Sequence, residues 1–131
     1  MVARLLLGPM LRYVDETSAT IWVETSEPCG VEVLEHTAST FSVRGRHYAL
    51  VIIEGLEAAT TIEYEVHLDG ERVWPEVGSA FPPSIIRTTD PDATMSVLAG
   101  SCRAAAPHEP PYTLELAMDD DGRGVDTMWA H

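Results

Sequence analysis

Thr61-Ile62-Glu63-Tyr64-Glu65-Val66-His67-Leu68-Asp69-Gly70 is the stretch that decides the fold. Ile62, Tyr64, Val66 and Leu68 alternate with Glu63, Glu65, His67 and Asp69. Successive side chains of a strand point to opposite faces, so this pattern predicts a half-buried strand. Four apolar residues face inward, and three acids and a histidine face water. Asp69-Gly70 suits a two-residue hairpin turn, whose central residues both take positive φ. Arg72-Val73-Trp74 is then the return strand.

Working outward, Ala19, Ile21 and Val23 alternate with Thr20, Trp22 and Glu24 and predict a second half-buried strand. Tyr48 to Ile53 is a continuous apolar run with β-branched residues, the pattern of a strand buried on both faces. Leu5 to Leu7 and Leu11 to Val14 flank Gly8-Pro9, which predicts a first strand interrupted by a bulge or bend. Val31 to Leu34, Phe41 to Val43 and Ser84 to Thr88 complete the set, with turns at residues 26–30, 37–40 and 44–46 and a loop over Pro75 to Pro83. No helical period precedes residue 90. Seven or eight short strands with turn signals between them predict an all-β, immunoglobulin- or fibronectin type III-like antiparallel sandwich over residues 1–90. Its expected core is Ile21, Val23, Leu50, Ile52, Ile62, Tyr64 and Val66.

Thr89 to Thr94 is a polar linker, and residues 91–131 read as the start of a second, truncated domain. Met95 to Ala99 is expected as a strand, and Val125 to His131 opens a partial helix. An apolar strand without its own sheet seeks an edge, which suggests a homodimer or a domain swap through residues 95–131.

The chain has 131 residues and a formal net charge of −13, with two cysteines. Its eight basic residues are all Arg. This acidity disfavours a phosphate-backbone partner, so no nucleic acid is expected. Two cysteines in a chain able to build its own core do not make a disulfide framework. Leu5-Leu6-Leu7 is too short for a membrane span or a secretory segment, which makes a cytoplasmic location the default.

Few residue groups offer chemistry. Cys102 stands in Leu98-Ala99-Gly100-Ser101-Cys102-Arg103, at the end of the expected second-domain strand. A lone Cys is commonly a small buried hydrophobe. His108 and Glu109 lie nearby in a Pro-rich loop, without the mutual geometry that nucleophilic catalysis requires. Asp119-Asp120-Asp121-Gly122 begins like a calcium loop, but Arg123 and Ala130 occupy positions that need oxygen ligands. His36, His47 and His67 show no ligand spacing. Trp22, Trp74 and Trp129 read as core or interface anchors rather than carbohydrate stackers.

Two stretches together carry a family resemblance. Leu56 to Val66 resembles the corner-and-strand motif of fibronectin-like domains, with Ala58 at the usual Pro and Ile62 at the usual first Tyr. Val97 to Arg103 follows after a short link. This order resembles the PhoD-like alkaline phosphatases and phosphodiesterases, in which a sandwich precedes a calcineurin-like metallophosphatase domain. The resemblance implies that Cys102 is an iron ligand in a full-length parent, and that the parent holds iron and calcium. The other ligands of that family lie in motifs absent from this chain. The expected role is a non-catalytic N-terminal domain that packs on its own catalytic domain and shapes the site entrance. The alternative is a free-standing fibronectin-like module that binds a protein or a glycan.

Overall fold

A computed structural model describes residues 2–97 and residue 99. The Cys102, His108, Asp119–Asp121 and Trp129 readings, and the partial helix from Val125, lie outside the described residues.

Ten strands run in sequence: β1 Leu5–Val14, β2 Ala19–Thr25, β3 Gly30–Val33, β4 His36–Ser39, β5 Phe41–Val43, β6 Arg46–Ile53, β7 Thr61–Glu63, β8 Val66–Leu68, β9 Glu71–Trp74 and β10 Ile85–Arg87. All pairings are antiparallel, and the described residues contain no helix. The described residues are all-β, as the alternation predicts. One four-stranded sheet has the order β1-β2-β6-β5, a second β4-β3-β8-β9, and β10 pairs with β7. The strands belong to a compact unit, Met1–Ala93.

Ile21 and Val23 from β2 and Ala49, Val51 and Ile53 from β6 meet Val31 and Val33 from β3 and Val66 and Leu68 from β8. All nine are buried, and they form the filling of a β-sandwich. Each fully buried Val or Ile contributes about 1.5–3 kcal/mol relative to exposure. Tyr64 and Ile86 join this core from the β7–β10 end.

The stretch that predicts the fold is one strand in two pieces. Tyr64 and Glu65 separate β7 from β8, and its partner strand is split at the same level. Val66 pairs with Trp74, the Tyr64 N–H donates to the Ser84 carbonyl, and Glu63 pairs with Ile85. Residues 75–83 thus leave a continuous ladder as an excursion and return to it. The Trp74 indole N–H donates to the Ser84 hydroxyl at 2.9 Å and closes the base of that excursion. Its outermost apolar side chains, Val77 and Phe81, are exposed.

Turn chemistry explains most of the connections. Asp69-Gly70 and Arg44-Gly45 take positive φ at both residues, as two-residue hairpins require. Leu34-Glu35 does the same with φ of 48° and 64°, although neither residue favours that region. This tight turn corrects the expectation of a polar turn at residues 37–40, where β4 runs instead. In β1 the register slips by one residue between Leu7 and Met10, placing a bulge at Gly8-Pro9 as predicted. Gly8 has φ +94°, and a Cβ there would stand 2.7 Å from the Trp22 carbonyl oxygen, so the position requires glycine.

Three sequence expectations need correction. Leu50 and Ile52 are 42% and 57% exposed and lie outside the core, because β6 buries only one of its two faces. Ile62 is half-buried at the narrow β7–β10 pair. Met95, Ser96 and Val97 form no strand.

Candidate interaction face

The outer face of the β1-β2-β6-β5 sheet is apolar and aromatic. Register brings Met10, Trp22 and Leu50 into one row, Tyr13, Thr20 and Ile52 into the next, and Glu24, Tyr48 and Phe41 into a third. The Trp22 and Tyr48 rings stack with centroids 5.5 Å apart and planes at 26°. Phe41 tilts against Tyr48 at 6.0 Å. Offset stacking of this kind adds about 0.5–1.5 kcal/mol beyond area burial. The aromatics also hold one another's rotamers, so the face is pre-shaped.

One carboxylate lies in these strands. Glu24 is buried beside the Arg46 guanidinium, whose Nη1 donates to Glu24 Oε1 at 2.8 Å. That hydrogen bond and the Glu24 charge hold the Arg46 guanidinium above its ordinary value. Arg46 remains 66% exposed, so its other donors face outward. Residue 24 belongs by alternation to the outer row, and the guanidinium makes its burial tolerable.

The opposite sheet has a different character. Glu32, His67 and Arg72 share its outer row, and Glu65 accepts from Arg72 at 3.2 Å and lies 3.8 Å from His67. This is an ordinary solvated face.

The histidines expected to be unspecific have structural partners. The Glu54 N–H donates to His36 Nε2 at 3.2 Å, which leaves the ring proton on Nδ1, 2.7 Å from the Leu34 carbonyl oxygen. His36 therefore braces the Leu34-Glu35 turn. His47 Nδ1 lies 2.7 Å from the Ser42 hydroxyl. Burial pushes the Cys29 thiol up, against a hydrogen bond with Thr25. A raised thiol is a poor nucleophile and metal ligand. Among the described residues, no group of three or more His, Cys, Asp or Glu side chains is placed to hold a metal ion. An open groove of about 510 Å³ runs between Leu5 and Trp74, with Arg4 and Glu76 on its rim. Among the described residues, no helix is long and apolar enough to cross a membrane.

Sequence reasoning missed the apolar face as a site, although its signal was visible. The Tyr48 to Ile53 run is apolar at both parities, and Trp22 stands at the outward parity of β2. The run reads as a strand buried on both faces, and Trp22 reads as a core or interface anchor, without joining the two in one face.

A family model described as "Domain of unknown function (DUF7800)" matches residues 2–86, and the chain belongs to this family. No curated protein and no solved structure matches the chain.

Proposed function

We propose that this DUF7800 sandwich is the non-catalytic N-terminal domain of a PhoD-like metal-dependent phosphatase or phosphodiesterase. In that role it packs on the catalytic domain of the longer protein and shapes the site entrance. The observation that carries the reading is the order of parts: an all-β sandwich whose last strand ends at Arg87, then a short link, then Gly100-Ser101-Cys102-Arg103. The family resemblance makes Cys102 the candidate iron ligand of the longer protein, where its thiolate would be a soft ligand. A multi-metal phosphoryl-transfer site needs several converging ligands, so one thiolate supplies only part of it.

The test uses an aryl phosphodiester and elemental analysis. Cys102→Ser in the longer protein should lower both metal content and turnover by a large factor. Residues 1–131 alone should show neither turnover nor a stoichiometric metal. Turnover by residues 1–131 that disappears with Cys102→Ser, or one tightly held metal per chain, would overturn the non-catalytic assignment.

The second reading, a free-standing binding module, draws on the Trp22–Tyr48 stack and exposed Phe41. Tyr and Trp are enriched at the centres of protein interfaces. A longer protein without phosphodiester turnover would favour this reading.

A further inference from the structure

We propose that the outer face of the β1-β2-β6-β5 sheet is a self-association surface, occupied by the same face of a second copy across a two-fold axis. The inference stands apart from the phosphatase reading.

The first argument is charge. The four strands of this sheet contain one acid, Glu24, out of 21 in the chain, and Arg46 neutralises it. A net charge of −13 opposes association everywhere else on such a molecule. This face, with its one acid neutralised, escapes much of that repulsion.

The second argument is self-complementarity along β6. Its outward parity reads Arg46, Tyr48, Leu50, Ile52, and then exposed Glu54 just beyond the strand. The sequence is pseudo-symmetric about Leu50: a cation at one end, an anion at the other, and large apolar side chains between. A two-fold axis lying in the face, perpendicular to the strands, turns β6 antiparallel over the partner's β6. Leu50 then sits on the axis, Tyr48 meets the partner's Ile52, and Arg46 meets the partner's Glu54. An isologous contact demands this matching of a patch to its own reverse. The Arg46 donors not used by Glu24 are free for the second carboxylate.

The third argument is area. At about 4.8 Å between strands and about 3.3 Å per residue, the 28 residues of these strands span roughly 440 Å² of flat sheet. Two such faces come close to the threshold of about 1,000 Å² for a specific interface, as suits a weak, micromolar dimer. Sheets stack face to face at about 10 Å, with side chains interdigitating, so the geometry is an ordinary sandwich contact.

The test is sedimentation velocity of the full chain from nanomolar to high micromolar concentration. The expected result is a monomer–dimer equilibrium in the micromolar range. Leu50→Glu should give a monomer with an unchanged far-UV spectrum. Glu54→Arg should weaken the dimer by about tenfold or more, since it sets two cations against each other. Should Leu50→Glu fail to fold, crosslinking decides. In a Cys29→Ser, Cys102→Ser background, Leu50→Cys should be joined to its partner by a short bismaleimide. Thr37→Cys, exposed on the opposite sheet, should not. A chain that stays monomeric throughout, a dimer that survives Leu50→Glu, or crosslinking at Thr37 but not at Leu50 overturns the proposal.

Discussion

Ile52 and Ile53 are neighbours in one strand with opposite fates: Ile53 is fully buried between the sheets, and Ile52 is 57% exposed on the outer face. The two residues have the same chemistry and the same strand. Their environments differ because alternate side chains of β6 point to opposite faces and only one face is covered by the second sheet.

Ile53→Ala is therefore expected to cost about 2–5 kcal/mol of folding stability, the range for a truncated core residue. Ile52→Ala should change the stability of the dilute monomer by less than about 0.5 kcal/mol. Urea denaturation at low protein concentration separates the two. Equal losses would show that the outer face is covered within the monomer.

Gly8→Ala should destabilise by about 2 kcal/mol or more. The residue sits at φ +94°, where L side chains are strained, and its new Cβ meets a backbone oxygen that cannot swing away. Thermal unfolding checks this. A neutral outcome would mean that the β1 bulge can relocate.

Ser84→Ala should lose about 1 kcal/mol with the Trp74–Ser84 hydrogen bond, which leaves the indole N–H without its partner. The same change should speed limited proteolysis within residues 76–81. Equal cleavage rates in both proteins would show that the base of the excursion is held by the ladder alone.

Asp15 sets an acid limb in the stability profile. Its Oδ1 accepts from the Thr17 and Ser18 N–H groups at 2.8 and 2.7 Å, and its Oδ2 accepts from the Tyr13 hydroxyl. These bonds, the Thr17 one first, hold the carboxyl below its ordinary value of 3.8. A group depressed in the folded state contributes stability that is present above pH 3.8 and lost as pH falls through the folded value. Asp15→Asn should lower stability at neutral pH, flatten the profile in that window and leave the most acid end little changed. Denaturant midpoints from pH 2 to 6 test it.

Arg46→Met should destabilise more than Glu24→Gln. Removing the cation leaves a buried carboxylate uncompensated, whereas the amide keeps a hydrogen-bonding oxygen without the charge. The ranking, read from denaturant midpoints at neutral pH, is the prediction, and its reversal would show that water reaches Glu24.

Much of the fold was legible because period-2 alternation survives wherever one face is wet. Tyr64 to Leu68 and Ala19 to Val23 read correctly for that reason, and Asp69-Gly70 and Gly8-Pro9 mark their turn and bulge by residue type. The Leu34-Glu35 hairpin carried no such mark. Its left-handed backbone accompanies the pairing of β3 with β4 and is braced by His36, whose ring is held in turn by the Glu54 N–H from a distant strand end. The corner that opens at Gly55 is legible from its residues, but the group that holds it is not. The buried Thr88 hydroxyl donates to the Glu57 carbonyl at 2.7 Å and accepts from the Thr60 N–H at 2.9 Å. The fibronectin-like pattern looks to a tyrosine at the corner, whereas this hydroxyl comes from 28 residues beyond Thr60.

The interaction face shows the same division most clearly. Sequence by itself determined that β6 has two apolar sides, since Tyr48, Leu50 and Ile52 alternate with Ala49, Val51 and Ile53. It also determined that one side differs in charge, with Arg46 and Glu54 at its two ends. Only the tertiary structure decided that β3 and β8 cover the Ala49, Val51 and Ile53 side and leave the other bare. Alternation is a local property of the backbone, whereas covering a face requires a second sheet brought there by residues far away in the chain.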